Sequence, residues 1–146
     1  MHSFRDVLIR WLTYLQARSI IEWGPGHSTE LMLLHAPAAQ IVSIEHSPQY
    51  HAIAAEKFGS RIKLLKKDVC QRDSDYATCA YDHGPYDLAF VDGRRRVECA
   101  LIALSLLRPG GVVIIHDWCR QNYARPLSRI AEIMECANNT AVLRPR

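Results

Sequence analysis

Ile20-Ile21-Glu22-Trp23-Gly24-Pro25-Gly26-His27-Ser28-Thr29 is a short apolar run that breaks at two glycines and resumes as a capped, helix-like run. Ile20 to Trp23 reads as a strand. Gly24, Pro25 and Gly26 end it in a tight turn, and Ser28 or Thr29 can cap a helix through about His35. Glycine lets backbone approach a bound ligand where a Cβ would collide, so Gly24, Gly26 and the adjoining Ser28 are candidate ligand contacts. A glycine turn alone is weak, because such turns need glycine for steric reasons too. Glu45 strengthens it. It lies 19 residues beyond Gly26 at the end of the next predicted strand, where a carboxylate can accept hydrogen bonds from both hydroxyls of a ribose. The pair points to a nucleoside ligand.

Glu22 is also the first of five acids, with Glu45, Asp68, Asp92 and Asp117, that follow apolar, strand-like runs at intervals of 23, 23, 24 and 25 residues. That interval is about one strand plus one helix, so the rhythm predicts a row of carboxylates along one sheet edge. Ligands of open parallel sheets bind outside the carboxyl ends of the strands. The predicted cleft favours a cation, or a ligand rich in hydroxyls and amines.

The rest of the chain fits that reading. Phe4, Val7, Leu8, Trp11, Leu12 and Leu15 recur at helical spacing. Ile41 to Glu45, Ile62 to Lys67, Asp87 to Val91 and Val112 to His116 read as further strands. Ser47-Pro48 starts one helix, and Val97, Ala100, Leu101, Leu104 and Leu107 stripe another. Pro109, Gly110 and Gly111 punctuate the chain. Leu127, Ile130, Ile133, Met134 and Ala137 predict a last helix. Strand-helix alternation makes this an α/β chain: a three-layer, doubly wound, Rossmann-like parallel sheet.

With 146 residues, 49% of them hydrophobic, the sequence suits one domain spanning 1–146. No apolar run approaches the roughly 20 residues of a membrane span, and the first residues lack a signal peptide's apolar stretch. A soluble, cytoplasmic protein is expected. A net charge of +3 does not by itself imply nucleic acid, although Arg94, Arg95 and Arg96 form a basic run. Five scattered cysteines without a Cys-x-x-Cys pair read as reduced thiols.

Electrostatics separates two kinds of cofactor. A pyrophosphate on the helix amino terminus would face Glu22 and Glu30, whereas a sulfonium with an amino group finds them favourable. Thr29 also replaces the third glycine of the dinucleotide pattern. The sequence resembles the class I S-adenosylmethionine-dependent methyltransferases over roughly residues 18 to 120. Glu22-x-Gly24-x-Gly26 is similar to their first motif and Ile44-Glu45 to their ribose-binding acid. Tyr86-Asp87-Leu88-Ala89-Phe90-Val91-Asp92-Gly93 is similar to their fourth-strand motif, and Leu107-Arg108-Pro109-Gly110-Gly111 to the turn before strand five. The resemblance implies strand order 3-2-1-4-5, S-adenosylmethionine as cofactor, Asp68 on the adenine amino group, and a small-molecule acceptor methylated on oxygen or nitrogen. Asp92 joins the expected cofactor-binding residues. Two other readings stay open: an NAD-type dinucleotide domain, and a non-catalytic cofactor- or partner-binding domain.

The family's terminal hairpin of strands six and seven is expected to be missing or reduced, because only one short strand, around Thr140 to Leu143, fits after the predicted last helix. An open sheet edge would make a homodimer plausible. Asp92, His116 and Asp117 are the candidate catalytic residues. The two aspartates rank first as base, since the apolar setting of His116 suits a buried histidine. No metal ligand is assigned. A divalent cation shared by Asp92 and Asp117 is the lesser alternative, because Trp118 stands where metal-dependent catechol-type relatives have an asparagine ligand and Asn122 is the nearby amide. The three arginines read either as attraction for an anionic substrate or as a solvated face beside Glu98.

Overall fold

The strands form one seven-stranded sheet, ordered β3-β2-β1-β4-β5-β7-β6, in a computed structural model that describes residues 3–146. The parallel part comprises β1 (Ser19–Trp23), β2 (Gln40–Glu45), β3 (Lys63–Lys66), β4 (Tyr86–Val91) and β5 (Leu107–His116). Between these strands run α2 (His27–His35), α3 (Pro48–Phe58) and α4 (Arg96–Ser105); α1 (Phe4–Leu15) precedes β1 and α5 (Gln121–Ile130) follows β5.

Alternation along each strand builds two apolar layers. Ile20, Leu88, Phe90 and Ile114 pack with Val7, Leu8, Leu12, Met32 and Phe58 of α1, α2 and α3. Their neighbours Ile21, Ala89, Val113 and Ile115 pack on the other face with Cys99, Ala103 and Leu127 of α4 and α5. Both faces being covered explains why β4 and β5 read as unbroken apolar runs. Ser47 accepts from the Tyr50 N–H at 3.4 Å, Pro48 opens α3 as expected, and Gly59 closes it at φ +55°.

Two expectations need correction. Pro109-Gly110-Gly111 lies within β5, which already pairs with β4 at Tyr86–Leu107 before a register shift. Gly110 takes φ +84°, and a Cβ on Gly111 would lie 2.9 Å from the Asp87 carbonyl oxygen. The glycines thus shape a bulge in the strand.

The second correction concerns the carboxyl terminus, where the hairpin is present. Helix α5 stops at Ile130, and β6 (Ala131–Ala137) turns into β7 (Thr140–Pro145), which pairs antiparallel with both β5 and β6. Leu127, Ile130, Ile133, Met134 and Ala137 mimic a helical stripe because β6 is an edge strand whose register shifts between Ile133 and Glu135, leaving Ile133 and Met134 exposed. The deciding signal was Asn138-Asn139. Both residues adopt left-handed backbone, φ +52° and +61°, which a two-residue hairpin turn of type I′ requires. Replacing Asn138 with Val should cost about 1–2 kcal/mol, because a β-branched residue resists that conformation. Replacement with Gly should change stability by no more than about 0.5 kcal/mol. Urea unfolding of the two variants checks this, and equal losses would contradict the turn's role.

Candidate functional site

The five acids stand in the order of the strands that carry them, from Asp68 beyond β3, through Glu45 and Glu22, to Asp92 and Asp117 beyond β4 and β5. The predicted row therefore exists, but its members live in different environments.

Glu22 is fully buried. Its Oε1 accepts hydrogen bonds from the Thr29 hydroxyl and, at 2.7 Å, from Ser43; its Oε2 accepts from Ser28 at 2.8 Å. Loss of water pushes its pKa up to about 7 against the pull of the three hydroxyls. Ser28 and Thr29 therefore lie inside the first turn of α2 with their hydroxyls turned to Glu22, and Gly26 occupies the capping position. Gly24, at φ +91°, runs so close to the next loop that a Cβ would meet the Asp92 carbonyl oxygen at 2.9 Å. A Cβ on Gly26 would meet no protein atom within 4 Å, so space above the turn is open to a ligand. Glu30 is paired with Lys57 and with His27 Nδ1 at 2.8 Å. With Glu22 buried and Glu30 paired, the start of α2 is less negative than the sequence suggests.

Glu45 is 5% exposed, and its Oε1 accepts from the His46 and Ser47 N–H groups, each at 2.9 Å. Those bonds leave Oε2 as the oxygen for an incoming donor. Asp68 is exposed and accepts from the Cys70 N–H at 2.8 Å, which holds its carboxyl below the usual range.

Beyond β4 and β5, Asp92, His116 and Asp117 offer ligand atoms that all lie within 4.8 Å of one another. His116 Nδ1 is 3.2 Å from Asp92 Oδ1, and this bond raises the imidazole pKa above its ordinary 6.5 despite partial burial and nearby Arg96. Sequence reasoning read Arg96 only as one of three arginines that attract a substrate or form a solvated face, and missed its place against both aspartates. Its guanidinium donates to Asp117 Oδ2 at 2.9 Å and to the His116 carbonyl at 2.8 Å, and stands 3.2 Å from Asp92 Oδ1. Arg95 donates to the Val69 and Gln71 carbonyls at 2.8 and 2.7 Å. Two of the three arginines are thus tied into the fold. The Phe4 ring lies 5.2 Å from that of His116 and 6.1 Å from that of His27, bringing the start of α1 over the cleft.

Asp92, His116 and Asp117 suit a divalent ion poorly. One cation, Arg96, already spans both carboxylates, and Trp118, with no oxygen ligand, occupies the third position. The amide that reaches Asp117 belongs to Asn139, whose Nδ2 donates to Asp117 Oδ1 at 3.3 Å, rather than to Asn122.

A glycine turn, a buried acid ending the next strand and the 3-2-1-4-5-7-6 order together define a class I methyltransferase fold. The family model for the methyltransferase domain matches residues 21–118, and the chain belongs to that family. A catechol O-methyltransferase of Mycobacterium tuberculosis is 29% identical over 117 residues, covering 73% of this chain. This chain spans about half, 50%, of that relative's length. A methyltransferase-like protein from Silicibacter pomeroyi superposes with TM-score 0.79 at 16% identity, covering 98% of this chain and 84% of its own. The SAH-bound Podospora anserina methyltransferase gives 0.78 at 18% identity, with 100% and 80% covered.

Manganese(II) titrated into the protein should show no saturable site at micromolar concentration by electron paramagnetic resonance; a stoichiometric site lost in Asp117→Asn would contradict the Arg96 argument. Glu22 titrates near 7 when folded, above its ordinary 4.5, so its contribution to stability is full below 4.5 and is lost as pH rises through 7. The loss amounts to at most about 3 kcal/mol. Glu22→Gln should flatten the fall in urea midpoint across that range, and an unchanged slope would assign the titration elsewhere.

Proposed function

We propose that the chain binds S-adenosylmethionine across the β1–α2 turn and methylates a hydroxyl of a small-molecule acceptor. The observation that carries this reading is the Asp92–His116 pair at 3.2 Å, set beside an open glycine turn in a chain of the methyltransferase domain family. The SAH-bound neighbour and the catechol O-methyltransferase relative support the same cofactor and oxygen as the acceptor atom. Glu45 receives the ribose hydroxyls and Asp68 the adenine amino group, while Gly24, Gly26 and Ser28 form the turn beneath the cofactor. Glu22 acts through that turn, because its own oxygens are taken by hydroxyls.

When bound, the sulfonium supplies a methyl carbon already activated for displacement, so alignment and removal of the acceptor proton remain to the protein. His116 is the base in this reading. Both aspartates are committed to Arg96, whereas His116 bonds Asp92 through Nδ1 and keeps Nε2 for the acceptor proton. Asp92 positions the imidazole and stabilises its protonated form. Asp117 holds Arg96 in place, and the acceptor hydroxyl gives up its proton at His116.

The same reading places the protein in the cytoplasm as one domain spanning residues 1–146. Among the described residues no helix is long and apolar enough to cross a membrane. Exposed Ile133 and Met134 on edge strand β6 offer a surface for a homodimer.

Calorimetric titration with S-adenosylhomocysteine should give saturable heat, and heat from NAD alone would overturn the cofactor assignment. His116→Ala should lower kcat by about 100-fold or more with cofactor affinity unchanged. Because the base works unprotonated, kcat/KM should rise with pH through an apparent pKa above 6.5, and Asp92→Asn should move that limb downward. A limb unmoved by Asp92→Asn would remove the pair from the mechanism.

A further inference from the structure

A cavity of about 500 Å³ opens beside the Asp92–His116–Asp117 cluster, lined by Arg94, Arg95, Arg96 and Arg120 with Glu98 as its one carboxylate. Its size falls within the range of small-ligand sites. Arg96 belongs to both places, since it lines the cavity and bonds the two aspartates. A molecule in the cavity is therefore separated from the two aspartates by one side chain, Arg96.

The four arginines are not equivalent. Arg96 is spent on Asp92 and Asp117. Arg95 is held by two backbone carbonyls, with Glu98 3.9 Å away. Arg120 has only a distant share of Asp117 Oδ2, at 3.8 Å, an oxygen that Arg96 already holds at 2.9 Å. The exposed Arg94 side chain makes no hydrogen bond or ion pair with the described residues, although its backbone N–H donates to the Tyr76 hydroxyl at 3.0 Å. Arg94 and Arg120 thus leave two guanidiniums with little or no compensation at one cavity. Both also stand where α4 and α5 begin, a position that disfavours cations and favours an anion. An anionic group in the cavity would find both guanidiniums on its wall. Guanidinium binds carboxylate and phosphate oxygens through paired, charge-assisted hydrogen bonds.

We propose that this cavity is the acceptor site and that Arg94 and Arg120 select acceptors carrying a carboxylate or phosphate group. The inference rests on the methyltransferase reading and adds the substrate class. Tyr123 forms the apolar part of the wall, its ring stacked by Arg96 at 5.4 Å and Arg120 at 6.0 Å, which suits a planar acceptor body.

The test begins with an S-adenosylhomocysteine titration of the wild type and of the Arg94→Gln/Arg120→Gln double variant. The saturated proteins are then titrated with 3,4-dihydroxybenzoate, its neutral methyl ester and inorganic phosphate. The wild type should bind the acid at least about tenfold more tightly than the ester. The double variant should bring the two within about threefold while keeping its cofactor affinity and circular dichroism spectrum. Displacement of dihydroxybenzoate by phosphate, with the same arginine dependence, would support the site and identify phosphate as its preferred group. Displacement failing while the acid is preferred would support carboxylate. Equal wild-type affinity for acid and ester, a preference that survives the double variant, or no heat from either anion at millimolar concentration would overturn the proposal. Arginine-dependent anion binding in a protein that does not bind S-adenosylhomocysteine would instead overturn the methyltransferase reading and leave the anion site standing.

Discussion

The burial of Glu22 constrains everything around the β1–α2 side of the cleft. A carboxylate removed from water must find donors inside the protein, and here Ser28, Thr29 and Ser43 supply them. Two of those hydroxyls belong to the first turn of α2 and the third to β2, so one side chain ties the glycine turn to the neighbouring strand. The turn is braced from the other side by Gly24, packed against the Asp92 carbonyl, and by the Asp92 N–H, which donates to Trp23 at 3.1 Å. The two halves of the cleft are consequently fixed relative to one another by backbone, before any ligand arrives.

Arg96 plays the matching part at the other half. Its side chain is 11% exposed, and from the start of α4 it reaches the loops after both β4 and β5. A cation in a helix's first turn opposes the macrodipole at a cost of roughly 0.3–1 kcal/mol, which two adjacent carboxylates readily offset. The result is a histidine held between two acids whose charge Arg96 offsets in part. Its pKa rises through the Asp92 hydrogen bond while Arg96 pulls the other way.

The parallel fold was legible because its signals are local and redundant: apolar runs, glycine turns, the Ser47-Pro48 cap and a fixed interval between acids. The acids' positions were legible too, but their environments were not. Nothing in the string of letters distinguishes buried Glu22 from exposed Asp68, since the difference comes from the sheet order, which puts β1 between β2 and β4 and leaves β3 at the edge. Arg96 was hidden among three consecutive arginines that end in three different settings. The carboxyl-terminal hairpin was misread because edge-strand residues that face solvent can imitate a helical stripe. Asn138-Asn139, a pair suited to left-handed backbone, was the local signal that outweighed it.

That hairpin bears on the site as well as on the sheet. The turn between β6 and β7 sets Asn139 beside the loop that leaves β5, where its carbonyl accepts from the Trp118 N–H at 3.0 Å and its Oδ1 from the Cys119 N–H at 2.6 Å. Its Nδ2 reaches Asp117, which takes φ +59°, a left-handed conformation that a non-glycine residue adopts at some strain. Asp117 is therefore held from one side by the hairpin turn and from the other by Arg96. The segment that completes the sheet also fixes the second aspartate of the cluster, so truncating the hairpin would loosen the loop on which Arg120 is carried.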